Sequence, residues 1–438
     1  MILTLANCSF DKKTGIWSGG EEEKKRISEL EASQKEEINV VKIFSSKDFY
    51  LEEKEPIKNI NLIEEKKNSS WEMPGLNLQN SLGNIYLSSI ENRFLKKKIG
   101  KNKFSISKVT TSPLFINGNI IFSDDTGSIF SINENGNIKW KKNIYKKVYK
   151  KVYKNLSISL YKNNIFVADN IGLIYSISLD TGKLIWIKNH GVPIKSNIKI
   201  FNNKIVLINQ DNRLLCLDVS TGSIIWDIRS ITTFIKSQNF LGLAISKSND
   251  IFMLSSSGDF LKINSNTGRI YWSLNVIGSL SVFDSDFFKS SDIVINKNDV
   301  IFSASSSIFS FNIDNGYINW DKKINSSNIP IINGNHIFVV TDNGYFLGMN
   351  RKSGQIIFST NILKALKKKK QKTTISGFIL GSGRIYATTL NGFLIVSSAS
   401  SGKIEYFTKI DDSITSPPII SNGSLYILTE ESRIFGFN

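Results

Sequence analysis

The stretch SLDTGKLIW (Ser178–Trp186) joins the end of one predicted strand to the start of the next through a tight turn. Upstream, Gly172–Ile177 has the apolar alternation of a half-buried strand, and Leu184–Trp186 begins a second strand. Asp180 can accept hydrogen bonds from backbone amides of the turn, and Gly182 can adopt the positive φ that ends it. The stretch therefore predicts a β-hairpin.

The same turn followed by an aromatic residue occurs seven times along the chain. The copies end at Trp140, Trp186, Trp226, Trp272, Trp320, Phe358 and Tyr406. Their average spacing of about 44 residues is typical of a propeller blade, which is a sheet of four antiparallel strands. A large ring on an outer strand can wedge against the neighbouring sheet, so we interpret these seven aromatic residues as anchors between blades.

Another hairpin precedes each copy and supplies the first two strands of the blade. In Ser112–Asp125, for example, Asn117 and Gly118 lie between two β-rich runs, as the turn of a hairpin does. One blade alone has two apolar faces that it cannot bury. The blades must therefore stack around an axis, and the ring must close.

Closure of the ring can also be predicted from the sequence. The last copy, Ser416–Asn438, supplies only three strands, and Asn92–Gly100 can add the missing outer strand. We therefore predict an all-β fold, an eight-bladed propeller of four-stranded antiparallel blades, over residues 71–438. Residues 71–91 are predicted to form a lead-in strap before the closing strand at 92–100.

Residues 1–70 differ from the repeats in composition. The stretch from Gly19 to Ser70 is rich in Glu and Lys, contains few large apolar residues and lacks the propeller period. This composition is typical of a solvated tether that is mostly disordered or partly helical.

Near the start of the chain, LTLANCSF resembles a bacterial lipobox, with Leu5 three residues before Cys8 and a small residue between them. The resemblance implies that Cys8 is acylated and becomes the first residue of the mature protein. A signal peptide needs a charged start and an apolar stretch of roughly 7–15 residues, and only seven residues precede Cys8. Either the encoded start lies further upstream or the match is coincidental.

The chain carries a formal charge of +17 and has no run of 18 apolar residues that would span a membrane. Lysines cluster at Tyr145–Lys154 and at Lys367–Lys372. Basic runs mixed with aromatic residues can bind nucleic acid. Both clusters fall between blades, where exposed loops are expected, and the whole chain is rich in Lys, Asn and Ile. We therefore predict no nucleic-acid partner and favour attraction to an anionic membrane surface.

Catalytic and metal-binding patterns are missing from the sequence. Only two histidines, His190 and His336, are present, and neither belongs to an HExxH motif. Cys216 lies in an apolar strand and is most simply a small buried hydrophobe. No CxxC pair or calcium-loop spacing occurs. We therefore predict a protein that is not an enzyme, with no catalytic residue, metal or cofactor.

The propeller with its repeated tryptophan resembles the quinoprotein family, which holds pyrroloquinoline quinone on the axis of an eight-bladed ring. This chain lacks the adjacent cysteines and the large loop insertions typical of those enzymes. With its lipobox-like Cys8 and its tether, it resembles the BamB family. That resemblance implies a lipid-anchored, non-catalytic scaffold on the periplasmic side of the outer membrane, monomeric within a complex. Its partners would be BamA-like periplasmic domains and unfolded outer-membrane proteins.

In the BamB family, docking uses an apolar–Arg segment and an Asp-rich segment in consecutive blades. The nearest stretches here imply partner binding by Ile235 and Lys236, and by Asp284 and Asp286. Lys lacks the bidentate fork of Arg, and solvated loop charges are an equally simple interpretation. Two other functions stay open, a quinone-dependent dehydrogenase and a surface sensor or adhesive propeller.

Overall fold

The computed structural model describes residues 25, 28–29, 49–104, 112–230, 240–277, 289–369 and 373–438. The chain divides into two compact units, Met1–Phe49 and Tyr50–Asn438. Within the described residues, 32 strands form eight four-stranded antiparallel sheets, and all of these strands belong to the second unit.

Seven blades consist of four strands that are consecutive in the sequence. Blades 1 to 4 are β2–β5 (Leu114–Ile116, Asn119–Ser123, Ile129–Asn133, Ile138–Lys142), β6–β9 (Leu156–Tyr161, Asn164–Asp169, Leu173–Ser178, Leu184–Asn189), β10–β13 (Lys199–Phe201, Lys204–Ile208, Arg213–Asp218, Ile224–Arg229) and β14–β17 (Leu243–Ile245, Asp250–Leu254, Asp259–Asn264, Ile270–Asn275). Blades 5 to 7 are β18–β21 (Val294–Asn296, Asp299–Ala304, Ser307–Asn312, Ile318–Lys322), β22–β25 (Ile331–Asn333, His336–Val340, Tyr345–Asn350, Ile356–Asn361) and β26–β29 (Ile375–Gly381, Arg384–Thr389, Phe393–Ser398, Ile404–Lys409).

Blade 8 combines two distant parts of the chain, as predicted. Its first three strands are β30–β32 (Ile419–Ser421, Ser424–Leu428, Arg433–Phe437), and its outer strand is β1 (Arg93–Lys98). In this antiparallel pair Lys98 lies opposite Arg433, and Arg93 lies opposite Phe437. Beyond the pair, the backbones of Asn92 and Asn438 exchange two hydrogen bonds of 3.1 and 3.0 Å. The predicted closure is confirmed.

The blades stand around a common axis in a closed ring. The first strands of neighbouring blades contact one another. For example, β6 contacts β10, and β10 contacts β14, so the first strands lie nearest the axis. Buried apolar clusters bridge blades 2 and 3, 3 to 5, 5 and 6, and 6 and 7, and one further cluster runs from blade 7 through blade 8 to blades 1 and 2. The predicted eight-bladed propeller is confirmed.

Antiparallel order gives the ring two different faces. Turns between first and second strands and between third and fourth strands lie on one face, which we name the hairpin face. The connections from each fourth strand to the next blade lie on the other, the long-loop face. Three short 3-10 helices, Phe49–Leu51, Lys147–Lys151 and Ile362–Lys369, occur in the described chain. No described helix is long and apolar enough to cross a membrane.

Each tryptophan of the repeat lies on a glycine turn of the next blade. The pairs are Trp140 on Gly182, Trp186 on Gly222, Trp226 on Gly268, Trp272 on Gly316 and Trp320 on Gly354. A Cβ atom on these glycines would lie only 2.5–3.1 Å from ring atoms. Each indole N–H also donates to a backbone carbonyl of the same turn, over 2.8–3.2 Å. The contact is therefore both apolar and polar.

The last two aromatic positions depart from this arrangement in different ways. Phe358 is fully buried on Gly402 but has no N–H to donate. Tyr406 remains 42% exposed, because blade 8 has a join between separate chain segments where the other blades have a glycine turn. At the closing seam, the buried Leu95 of β1 takes the position of the tryptophan, and a Cβ atom on Gly136 of blade 1 would lie 3.0 Å from its Cδ1.

Residues 50–70 lie on the ring, although the sequence predicts a tether up to residue 70. Tyr50 and Ile60 are buried, and the backbone of Lys54 exchanges two 2.9 Å hydrogen bonds with Ser359 of β25. Isolated apolar residues and backbone pairing hold this segment, so it has no periodic pattern in the sequence. Most of residues 1–49 lie outside the described residues, and the tether there stays a prediction.

The aromatic contact at the turn can be separated from the backbone strain of the glycine. We expect Gly222→Ala to lower the free energy of unfolding by about 2–4 kcal/mol, because φ is +68° and the new Cβ would lie 2.5 Å from Trp186. Gly118→Ala is the matched control, since its φ is +70° with no neighbouring atom within 4 Å. The denaturant midpoint should fall further in Gly222→Ala than in Gly118→Ala, because only the first variant introduces a clash. Equal losses in the two variants would contradict the proposed wedge.

Candidate functional site

The axis opens into a cavity of about 320 Å³ on the long-loop face. Its walls are the segments that lead into the first strands of several blades. Examples are Ser112, Asn197, Phe240, Asp292, Asn328 and Thr415. The cavity thus lies where the interblade connections converge, with a mixed lining of apolar and small polar side chains.

The strap, residues 71–91, forms the floor of this cavity. Trp71, Pro74, Gly75 and Leu82 face the cavity from the strap. Backbone hydrogen bonds join the strap to six blades: Trp71 to Phe115, Glu72 to Leu160, Leu78 to Ile245, Gln79 to Ile295, Ile85 to Leu380, and Ser88 to Gly423. Because these bonds engage blades on opposite sides of the axis, the strap closes the channel and ties the ring together.

A buried ammonium group fixes the strap to blade 3. Lys199 of β10 has no exposed surface, and its Nζ donates to Pro74 O at 3.0 Å, Asn77 O at 2.9 Å and Asn80 Oδ1 at 2.5 Å. Asn80 in turn donates to carbonyls of blades 4 and 5. Gly75 permits this packing, because a Cβ there would lie 2.1 Å from Asn80 Oδ1.

Burial changes the acid–base properties of Lys199 and Asp292. Burial lowers the pKa of Lys199 to about 8, and the negative charge of Asp292 only partly offsets this effect. Burial raises the pKa of Asp292, which is opposed by Lys199 and by hydrogen bonds from Leu243 N, Ile293 N and Asn197 Nδ2. Asp292 is therefore already satisfied by the protein, so it anchors structure more simply than it serves as a free catalytic base.

Two polar atoms at the cavity lack a hydrogen-bond partner within the described residues. They are Trp71 Nε1 and Ser290 Oγ, both on residues that are 3% exposed. Each can bond to water or to a small polar group in the cavity. They make the cavity polar at its floor and at one wall, without forming a catalytic constellation.

The residue types that catalysis would need are scattered in the described chain. No group of three or more His, Cys, Asp or Glu residues is placed to hold a metal ion there. His336 begins β23 and His190 follows β9, and burial lowers the pKa of both imidazoles. Burial raises the pKa of the Cys216 thiol to about 11, so this cysteine stays protonated and unreactive.

The predicted docking residues and the predicted acylation site lie outside the described residues. Ile235 and Lys236 fall in 231–239, Asp284 and Asp286 in 278–288, and Cys8 near the start. The two docking segments belong to connections from blade 3 to blade 4 and from blade 4 to blade 5. Their described neighbours Phe240 and Ser290 both line the axial cavity, so both connections join the ring at the cavity rim.

A family model described as outer membrane protein assembly factor BamB matches residues 83–274 and 125–360. The second match alone covers more than half of the chain. This chain belongs to the BamB family.

Individual relatives agree with the family assignment. An uncharacterized protein of Rickettsia conorii is 24% identical over 80% of this chain and 89% of its own length. The outer membrane protein assembly factor BamB of Shewanella oneidensis is 20% identical over 63% of this chain and 69% of its own length. Both alignments cover more than half of this chain, so the likeness extends beyond a single blade.

Solved structures show the same fold at low identity. BamB from Moraxella catarrhalis has a TM-score of 0.64 and 11% identity, covering 78% of this chain and all of that one. Quinohemoprotein alcohol dehydrogenase from Comamonas testosteroni has a TM-score of 0.65 and 10% identity, covering 84% of this chain and 80% of that one. The propeller is thus shared by assembly factors and by enzymes, and the fold alone does not separate them.

The role of Lys199 was missed in the sequence, although a signal for it exists. Lys199 begins the first strand of blade 3, which lies near the axis of the ring. Its neighbours in the run Ile198–Phe201 are all apolar. A charge at such a position indicates a buried polar partner. The partner, Asn80, could not be identified because the strap has no repeat pattern.

We expect Lys199→Met to lower the free energy of unfolding by about 2–4 kcal/mol, because three acceptors of the strap lose a buried donor. The measurement is the shift in denaturant midpoint. Lys183→Met, in an exposed turn of the hairpin face, is the control and should change the free energy by less than about 0.5 kcal/mol. Similar midpoints for both variants would show that the buried bonds do not hold the strap.

The lowered pKa of Lys199 also gives a pH dependence. Between pH 8 and about 10.4, the native state has released a proton that the unfolded chain still holds, so the contribution of Lys199 to stability rises with pH. Below pH 8 both states hold the proton and the contribution is constant. We expect the gap in denaturant midpoint between wild type and Lys199→Met to widen from pH 7.5 to pH 9.5. A constant gap would contradict the shift.

Proposed function

We propose that this BamB-family protein is a non-catalytic scaffold of outer-membrane β-barrel assembly. In this proposal it acts on the periplasmic side of the outer membrane, as a monomer within a larger complex. It docks on BamA-like periplasmic domains and aids insertion of unfolded outer-membrane proteins. The family match across the ring carries the proposal, because it concerns assembly factors and covers the blades from which the docking connections leave.

The ring suits a scaffold because its connections leave from a rigid frame. Interblade aromatic contacts and the bonded strap fix the ends of each connection, so less conformational entropy is lost when a partner binds. Several connections converge around one cavity on the long-loop face. A partner domain that approaches this face can therefore contact several blades at once.

We assign docking to Ile235 and Lys236 in one connection and to Asp284 and Asp286 in the next. These connections are consecutive along the ring and leave the same face beside Phe240 and Ser290. An apolar residue combined with charges of both signs suits an interface whose partner is matched in polarity. Acylation of Cys8 would hold the scaffold at the membrane, and an in-frame apolar segment encoded upstream of Met1 would support this anchor.

Site-specific photo-crosslinking in the native cell tests the docking. We expect a crosslinker at Ile235 or Asp284 to capture a BamA-like protein, and the same group at Asp180 or Asp314 to capture none. The control positions are exposed residues in turns of the hairpin face. Asp284→Lys with Asp286→Lys should abolish capture and lower the amounts of outer-membrane proteins, whereas Asp180→Lys with Asp314→Lys should leave both unchanged.

Other outcomes would favour other functions. Equal capture at both faces, or normal outer-membrane protein levels after gene deletion, would overturn the scaffold and leave a surface sensor or adhesive propeller. A spectral change and dye reduction with alcohols, on adding pyrroloquinoline quinone and calcium, would support the dehydrogenase alternative. Melting temperatures of the charge-reversal variants should equal that of wild type, which separates loss of docking from loss of folding.

A further inference from the structure

A basic segment stands on the long-loop face between blades 1 and 2. It contains two copies of Tyr-Lys-Lys-Val followed by Tyr-Lys, and part of it forms the 3-10 helix Lys147–Lys151. We name residues 146–153 the basic protrusion. Its exposed side chains are Lys146, Lys147, Val148, Lys150, Lys151, Val152 and Tyr153.

Buried residues at both ends hold the protrusion in place. Lys154 is 4% exposed, and its Nζ donates to Tyr149 O at 2.6 Å and to Val152 O, which closes the segment on itself. The same Nζ lies 4.7 Å from the ring centre of Tyr145. Tyr145 donates its hydroxyl to Asp169 at 2.7 Å. The protrusion is therefore a supported element on the ring.

The protrusion is a concentrated positive charge. None of its four lysines forms an ion pair with another described residue. Lys103 adds a fifth cation, since its Nζ lies 3.4 Å from Lys150 O. The nearby carboxylates are engaged with the protein, Asp125 with the amides of Lys103 and Phe104 and Asp169 with Tyr145. The exposed lysines are thus available to an anionic partner.

Apolar side chains project among these lysines. Val148 is 75% exposed, Val152 is 43% exposed and Tyr153 is 38% exposed. Exposed valines contribute little to nucleic-acid binding, because single-stranded nucleic acid is bound by aromatic stacking and duplexes are bound by polar contacts. At a lipid surface the same combination is favourable, since lysines reach phosphate groups while valine and tyrosine enter the interfacial layer.

We propose that the basic protrusion binds the surface of an anionic phospholipid bilayer. The four lysines contact headgroup phosphates, and Val148, Val152 and Tyr153 insert at the interface. This surface lies between blades 1 and 2, whereas the residues that we assign to docking belong to the connections from blade 3 to blade 4 and from blade 4 to blade 5. Lipid contact through the protrusion would orient the ring at the membrane.

Vesicle co-sedimentation tests the proposal with the unlipidated full chain, in which Cys8→Ser excludes an acyl anchor. We expect binding to phosphatidylcholine vesicles with 30% phosphatidylglycerol to exceed binding to pure phosphatidylcholine at least tenfold. Raising NaCl from 0.1 to 0.5 M should weaken it strongly. Changing Lys146, Lys147, Lys150 and Lys151 to Gln should lower the partition coefficient at least tenfold.

Two further variants make the test specific. The charge control changes four exposed lysines in turns of the hairpin face to Gln: Lys183, Lys297, Lys352 and Lys403. It carries the same net charge as the protrusion variant and should keep at least half of wild-type binding. Changing Val148, Val152 and Tyr153 to Ser keeps every lysine and should lower binding at least threefold. Unchanged melting temperatures confirm that the variants fold.

Three results would overturn the proposal. One is equal binding to anionic and neutral vesicles. Another is an equal loss in the protrusion variant and the charge control, which would indicate net charge alone. The third is unchanged binding in the Ser variant together with equally tight binding to a 20-base-pair duplex DNA, which would indicate a general polyanion site.

Discussion

The contact between an aromatic ring and a glycine turn holds blades together at six of the eight junctions in the ring. The turn offers a flat backbone surface without a Cβ, so the indole ring lies close to it and its N–H reaches a carbonyl of the same turn. At the five tryptophan positions the hydrogen bond from the indole N–H recurs over 2.8–3.2 Å, so these five junctions are packed in the same way. The ring is completed by the pairing of β1 with β32, and the cavity lies at the axis of the closed ring.

The sequence was sufficient to predict the ring because its signals are local. Hairpin turns, strand alternation and the regular aromatic all lie within one blade, and the incomplete last copy indicates where the ring must join. Tyr406 shows the limit of this reasoning. It matches the repeat as well as Phe358 does, but its surroundings depend on a neighbouring blade that is built from separate chain segments. Residues 50–70 were misassigned for a related reason, since they bind the ring by isolated contacts.

The site could be predicted less completely than the fold. Lys199 and Asn80 are 119 residues apart, and a strap without periodicity brings them together. The docking residues came from family resemblance, and Ile235, Lys236, Asp284 and Asp286 stay proposals. The proposed functions of the long-loop face therefore rest on different kinds of evidence. The axial cavity and the basic protrusion are defined by contacts between described residues. The docking residues are placed only by the connections between blades 3 and 5 to which they belong.

The joining of Asn92 to Asn438 spans 346 residues of sequence. During biosynthesis, the outer strand of blade 8 emerges long before its partner, whereas every other blade can pair locally as soon as its own strands are available. Contacts of such high sequence separation form slowly. We therefore expect ring closure to be a late step of folding, and until it occurs β1 and β32 each have an unpaired edge. Unpaired strand edges can pair with other chains, so we expect the protein to be more prone to aggregation before closure than after it.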